Sequence, residues 1–166
     1  PKLFNIYMDG LSVKLEEKLI GLSYGTGKIN HLMYADDMVL MAPSVQGLQR
    51  LLEICTQYGK DFDIVYNDKK SVCMSINRFD KNVPTPSLCL AGANLHVVNE
   101  IKYLGHYITS NLNDDKDLNR QMRALYCRSN ILPRKFHRCS KSVKSMLFRS
   151  FCSSMYCCSL WSNRRE

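Results

Sequence analysis

The C-x-x-C cysteine pairing is absent from this 166-residue chain, although the chain contains eight cysteines. Structural zinc sites and redox motifs use that spacing. The first residues also lack the pattern of a secretory signal peptide, so nothing indicates an oxidising compartment. We therefore expect reduced thiols. An irregular late set remains as the zinc alternative: Cys127, His137, Cys139, Cys152 and Cys157.

Long apolar runs are missing as well. No stretch approaches the ~18 consecutive apolar residues of a membrane span, so the sequence predicts no membrane partner. Apolar residues make up 45% of the chain and charged residues 23%. Because these fractions are close to globular averages, they exclude wholesale disorder and predict a folded domain.

Acidic residues are scarce in the last third of the chain. Residues 118–166 contain 11 Lys or Arg and a single acid, Glu166, whereas residues 1–83 contain ten basic and ten acidic residues. A neutral first half followed by a strongly basic second half favours a polyanion partner, with nucleic acid ahead of a merely solvated basic surface.

Hydrophobic periodicity predicts an α+β fold. Helices are predicted for residues 3–19 and 44–59, and later helices begin near Asp114 and at the capping residue Ser140. A β-hairpin is predicted for residues 29–42, with Asp36 and Asp37 at its turn. Further short strands are predicted at residues 64–66, 72–76, 88–90, 95–98 and 101–104. The isolated histidines His31 and His106 favour structural roles over metal ligation.

Tyr34-Ala35-Asp36-Asp37 places two adjacent carboxylates at the tip of an otherwise apolar hairpin. If these charges are buried, a cationic partner must compensate for the lost hydration. Two divalent metals would do so, because Mg²⁺ prefers carboxylate and phosphate oxygens and a metal pair holds both oxygens of a phosphoryl transfer. The alternative is an Asp-Asp turn that faces water, and these four residues alone do not decide between the two.

Three further segments make the chain resemble the palm and thumb of reverse transcriptases, particularly those of non-LTR (LINE-type) retrotransposons. Tyr34-Ala35-Asp36-Asp37 resembles the family's catalytic hairpin, and Asn67-x-x-Lys70-Ser71 resembles its next motif. Lys102-Tyr103-Leu104-Gly105 is similar to the primer-grip hairpin. Leu3-Phe4-Asn5-x-Tyr7 is similar to the end of the motif before the catalytic hairpin.

The resemblance implies a partial palm, an antiparallel sheet with packed helices, over residues 1–110 and a basic helical thumb over residues 111–166. It implies RNA-directed DNA synthesis with two Mg²⁺ or Mn²⁺ ions, an RNA template, a DNA primer and deoxynucleoside triphosphates. Asp36 and Asp37 would be the metal ligands, with Asp37 the weaker assignment.

The other residues receive roles by the same resemblance. Tyr34 would lie near the primer end, Lys70 near the nucleotide phosphates, and the segment from Lys102 to Gly105, including Tyr103 and Leu104, beneath the primer. Residues expected to contact duplex phosphates are Arg120, Arg123, Lys141 and Lys144. The corresponding structural alternatives are an exposed lysine at position 70, core residues at 103 and 104, and solvated basic side chains.

The family builds its metal site from three aspartates, and the first lies well upstream of the catalytic hairpin. Asp9 is the only aspartate in residues 1–30 and lies on a predicted helix, which is the wrong context. We therefore expect a slice of a polymerase that is inactive on its own. The alternative from another class is a non-catalytic nucleic-acid-binding remnant of a retroelement.

Overall fold

A computed structural model describes residues 2–76 and 87–153 and confirms the α+β class. Helices account for 46% and strands for 21% of these residues. The helices are α1 Lys2–Glu16, α2 Val45–Asp61, α3 Asp115–Lys135 and α4 Lys141–Leu147, followed by a π-helical turn at Phe148–Cys152. No helix in the described ranges has both the length and the apolar character needed to cross a bilayer.

The described strands form five two-stranded pairs. Antiparallel pairs are β1 Leu22–Tyr24 with β2 Gly27–Ile29, β3 His31–Tyr34 with β4 Asp37–Leu40, β6 Cys89–Leu90 with β7 Ala93–Asn94, and β9 Glu100–Tyr103 with β10 His106–Thr109. The fifth pair, β5 Val72–Cys73 with β8 His96–Val97, is parallel. The palm-like part therefore consists of small ladders where the sequence predicts an antiparallel sheet.

The hydrophobic core lies between α1, α2 and the strand β6. Fully buried Leu11 and Leu15 of α1 pack with Leu51 and Cys55 of α2. Their spacings of four residues place each pair on one helix face. Ser44 caps α2 by accepting a hydrogen bond from the Gly47 N–H at 3.1 Å, as its sequence position predicts.

Two parts of the strand prediction are wrong. Residues 64–66 form no strand: Val65 is 93% exposed, and Ile64 and Tyr66 pack against the core without pairing to another strand. The β1–β2 hairpin was not predicted, because its three-residue strands are too short to give a clear pattern, and all six residues are exposed. Its turn is set by Gly25, which has a φ of 57°.

The C-terminal helices bury little apolar surface of their own. Ser140 caps α4 as predicted, accepting from the Val143 N–H. The apolar spacing after Ser140 predicts that Met146 and Phe151 face inward. This is wrong, because Met146 is 63% exposed and Phe151, in the π-helical turn, is 45% exposed. The terminal Leu160-Trp161 lies outside the described residues.

Gly21 is required for a close backbone approach next to the β3–β4 hairpin. A Cβ at this position would lie 2.7 Å from the carbonyl oxygen of Ile29, too close for a real contact. We expect Gly21→Ala to lower the free energy of unfolding by about 1–3 kcal/mol, measured by urea denaturation. Gly27→Ala is the control, since its nearest new contact would be an ordinary 3.8 Å. Equal stability of the two variants would contradict the steric role of Gly21.

Candidate active site

The Asp36 and Asp37 carboxylates lie at the tip of the β3–β4 hairpin, as the sequence predicts. Tyr34 pairs with Asp37 across the ladder, and Ala35 and Asp36 form the turn. Ala35 has a φ of 51°, a left-handed conformation that costs a non-glycine residue roughly 1–2 kcal/mol. The tip is thus a tight, strained turn.

Both carboxylates are exposed, which matches the water-facing turn that the sequence left open as the alternative to a buried pair. Neither forms a hydrogen bond or ion pair within residues 2–76 and 87–153. Tyr34 is 65% exposed beside them. The carboxylates therefore keep their full acceptor capacity, but burial cost gives no reason for a metal ion here.

A polar network fixes the base of this hairpin to α1. Asn30 is 5% exposed, and its Nδ2 donates to the Leu15 carbonyl at 2.6 Å. The Asn30 Oδ1 lies 2.7 Å from His31 Nδ1, and His31 Nε2 lies 2.7 Å from Ser12 Oγ. The apolar side chains of Met33 and Met38 pack against the core. The exposed tip therefore stands on a well-anchored base.

The Leu15 carbonyl can only accept, which assigns the Asn30 amide nitrogen to it and leaves Oδ1 as the acceptor for His31. In its neutral form, His31 therefore carries its proton on Nδ1 and accepts from the Ser12 hydroxyl at Nε2. This structural role agrees with the sequence-based expectation for His31.

Replacing Asn30 by Ala would leave the Leu15 carbonyl and His31 Nδ1 without their buried partner. We expect a loss of about 2 kcal/mol in the free energy of unfolding, measured by denaturant titration. Asn94→Ala removes the same side chain from an exposed strand position and is expected to change stability by about 0.5 kcal/mol or less. A neutral Asn30→Ala variant would show that the network does not hold the hairpin.

Lys70 lies in an exposed turn at residues 68–70. Asn67 organises the turn, because its side-chain oxygen accepts from the Lys70 N–H at 3.1 Å and its carbonyl accepts from the Ser71 N–H at 2.9 Å. This geometry gives the spacing Asn67-x-x-Lys70-Ser71 a local structural reason. The Lys70 ammonium group has no ion-pair partner among the described residues.

The segment from Lys102 to Gly105 forms the end of β9 and a two-residue turn into β10. Leu104 and Gly105 have φ values of 45° and 86°, the pattern of a tight hairpin turn with two left-handed residues. Tyr103 is half-buried, whereas Lys102 and Leu104 are exposed. Lys102 Nζ lies 5.9 Å from the centre of the Tyr107 ring on β10.

Asp117 is a site-forming residue to which the sequence analysis gave no role. It is 4% exposed and accepts from the Tyr107 N–H at 3.2 Å, His106 Nδ1 at 3.2 Å and Arg120 Nε at 2.9 Å. Burial alone would raise the pKa of the Asp117 carboxyl, but these hydrogen bonds outweigh burial and hold the pKa below its usual value. The i, i+3 spacing of Asp117 and Arg120 was the available signal.

The four basic residues predicted to contact duplex phosphates differ in whether their charged groups already bind another group of the protein. Arg120 forms an ion pair with Asp117, in which its Nη2 lies 2.8 Å from the Asp117 Oδ1. Lys144 donates to the His137 carbonyl at 2.9 Å. Arg123 and Lys141 are exposed. An open groove of about 450 Å³ between α3 and α4 has Lys144 and Arg149 in its lining.

The structure joins some predicted site residues and leaves others apart. Tyr34 and Asp37 are neighbours, and the Lys102–Gly105 turn is tied to Arg120 through Asp117. No hydrogen bond, ion pair or ring contact among the described residues connects Asp36 or Asp37 to Lys70 or to the Lys102–Gly105 turn.

The described members of the late cysteine and histidine set are not grouped as a zinc site. Within residues 2–76 and 87–153, no three His, Cys, Asp or Glu side chains are grouped so that they could hold a metal ion. Of the zinc alternative, Cys127 is exposed and Cys152 is buried, whereas Cys157 lies outside the described residues.

Burial raises the pKa of the Cys55 thiol to about 12. Because the thiolate is the reactive form, we expect Cys55 in the folded chain to alkylate at pH 8 roughly a thousandfold more slowly than the exposed Cys127. Peptide mass spectrometry after timed iodoacetamide treatment measures both rates, and urea-unfolded chain is the control in which they become similar. Comparable rates in the folded chain would contradict the burial of Cys55.

Comparison with known families supplies the class of protein. A family model described as reverse transcriptase (RNA-dependent DNA polymerase) matches residues 1–108, well over half of the chain. The chain therefore belongs to the reverse transcriptase family. No solved structure matches it.

Proposed function

We propose that this chain is the C-terminal palm and thumb portion of an RNA-directed DNA polymerase of the non-LTR (LINE-type) retrotransposon kind. The observation that carries the proposal is a pair of exposed carboxylates, without an ion-pair partner among the described residues, on the anchored β3–β4 hairpin of a reverse transcriptase family member. One further motif precedes this hairpin and two follow it in the family's order, and a basic region comes after them.

The division proposed is a partial palm over residues 1–110 and a thumb over residues 111–166. The different packing supports it, because the buried core cluster draws only on residues up to 95. The described part of the later region buries little beyond Asp117, Leu132 and Cys152.

The donor chemistry of Asp36 and Asp37 fits Mg²⁺ or Mn²⁺, since both side chains offer hard oxygen ligands without a competing cation. When bound, two such ions would activate the primer hydroxyl and steady the triphosphate. Asp36 would be the principal protein ligand and Asp37 the second. A third acid is not grouped with them in the described ranges, so a complete site would draw it from elsewhere in the polymerase.

The reaction proposed is attack of a primer 3′-hydroxyl on the α-phosphate of a deoxynucleoside triphosphate, with pyrophosphate leaving. Tyr34, exposed beside the carboxylates, would contact the primer end. Lys70 would neutralise or protonate the pyrophosphate, since its ammonium group is exposed and unpaired in the described structure. The Lys102–Gly105 turn would lie beneath the primer strand.

Arg123 and Lys141, being exposed, are the better candidates for direct phosphate contacts with the RNA template and DNA primer. Lys144 would contribute from the α3–α4 groove. Arg120 would act mainly through Asp117, because its guanidinium group is already bound there.

The second candidate function is non-catalytic nucleic-acid binding by a retroelement remnant. The missing third acid in the described ranges favours it for this chain alone, and so does the basic second half. Under this alternative the nucleic acid binds, but Asp36 has no catalytic role.

Metal binding is testable on the chain itself. We expect substoichiometric Mn²⁺ to broaden the backbone amide signals of residues 34–38 in NMR spectra, because paramagnetic relaxation acts only near the bound ion. The double variant Asp36→Asn with Asp37→Asn should lose this broadening, whereas Asp68→Asn, an exposed turn aspartate, should keep it. Broadening that survives the double variant would place the ion elsewhere.

Catalysis requires the complete polymerase that contains this segment. In that enzyme we expect Asp36→Ala to abolish primer extension on an RNA template, and Asp68→Ala to leave it near the unsubstituted rate. Unchanged extension by Asp36→Ala would remove Asp36 from the mechanism. An upstream reading frame with an aspartate strand motif would support the polymerase, and stop codons there would support the remnant.

A further inference from the structure

The hairpin β9–β10 contributes no side chain to the hydrophobic core cluster. Its inner residues, such as Ile101 and Ile108, are only partly buried. Polar contacts with neighbouring elements must therefore orient this hairpin.

Those contacts converge on the first turn of α3. Asp117 accepts hydrogen bonds from the hairpin at the Tyr107 N–H and His106 Nδ1, and from its own helix at Arg120. Lys116 adds an ion pair with Glu100, and its ammonium lies 4.7 Å from the centre of the Tyr107 ring. The hairpin is thus fixed to α3 from both of its strands.

The two elements joined in this way carry positive charge toward solvent. Lys102 is exposed on the hairpin and Arg123 is exposed on α3. Asp117, nearly removed from water, holds the hairpin that carries Lys102 against the basic helix α3. Because Asp117 is itself negative, its presence disfavours a polyanion by simple Coulomb interaction.

We infer that Asp117 is a positioning residue, which locks the Lys102–Gly105 hairpin to the basic helix α3 so that both contact one nucleic-acid duplex together. The benefit is preorganisation: a ligand that meets both elements does not need to order them. The expected duplex contact rests on the proposed function, whereas the role of Asp117 in fixing the hairpin to α3 does not.

The test uses the full chain, a fluorescent RNA–DNA hybrid duplex and anisotropy at about 100 mM salt, because such affinities depend steeply on salt. Asp117→Asn keeps the side-chain shape and makes the chain more positive, so electrostatics alone predicts tighter binding. We expect at least a roughly fivefold weaker affinity instead, because the rigid arrangement is lost. Asp115→Asn is the charge-matched control, as it leaves the Asp117 carboxylate in place, and should bind as tightly as the unsubstituted chain or tighter.

Hydrogen exchange measured on the free chain separates positioning from general destabilisation. For Asp117→Asn we expect exchange in residues 99–110 to accelerate at least tenfold while α2 is unchanged. His106→Ala, which alters the junction without a formal charge change, should accelerate the same segment and serves if Asp117→Asn does not fold. Unchanged exchange at residues 99–110 in a folded variant, or duplex binding by Asp117→Asn as tight as by Asp115→Asn, would overturn the inference.

If the chain binds no duplex, the proposed function is refuted. The hydrogen-exchange measurement would still show whether Asp117 fixes the hairpin to α3.

Discussion

Packing of α2 against α1 and β6 is the interaction on which the rest of the described fold depends. Leu51 and Cys55 are fully buried on one face of α2, and Gln49 on the same helix exchanges two hydrogen bonds with the backbone of Cys89 in β6. Tyr58 extends the contact by donating to the Tyr7 carbonyl at 2.7 Å. The strands are too short to be stable alone, so they take their positions from this helix pair.

The two hairpins expected to form the polymerase site are held in place by different interactions. The β3–β4 hairpin combines apolar packing with a buried amide, Asn30, whose hydrogen bond fixes it to α1. The β9–β10 hairpin has no share in the core and depends on the charged junction at Asp117. Apolar packing is dense and insensitive to salt, whereas the geometry of a charged junction depends on every partner being present. The first hairpin is therefore suited to a fixed site and the second to a contact that must match a bound duplex.

Local patterns explain what the sequence could predict. The helices α1 and α2, the Ser44 and Ser140 caps and the β3–β4 turn depend on residues close together in the chain, and all were predicted. The errors fall where burial depends on distant partners. Residues 64–66 have a strand-like pattern but pair with no other strand, and Asp117 looks like any acid in a first helical turn until β10 lies against it. The exposure of Asp36 was left undecided for the same reason, since an apolar run does not reveal what covers it.

Net positive charge is concentrated in the second half of the chain, away in sequence from the exposed acids Asp36 and Asp37, and this separation leaves the two acids available to a cation. An acid that must bind a cation cannot be neutralised by a neighbouring lysine in the free protein, because the ion would then have to displace that lysine. Asp36 and Asp37 meet this condition in the described structure, since no basic side chain there forms an ion pair with either of them. The excess positive charge lies in residues 84–166, where it attracts a polyanion without neutralising the acid pair. A charged nucleic acid drawn to the basic half would add negative potential around the hairpin tip, which strengthens the affinity of the two carboxylates for divalent cations.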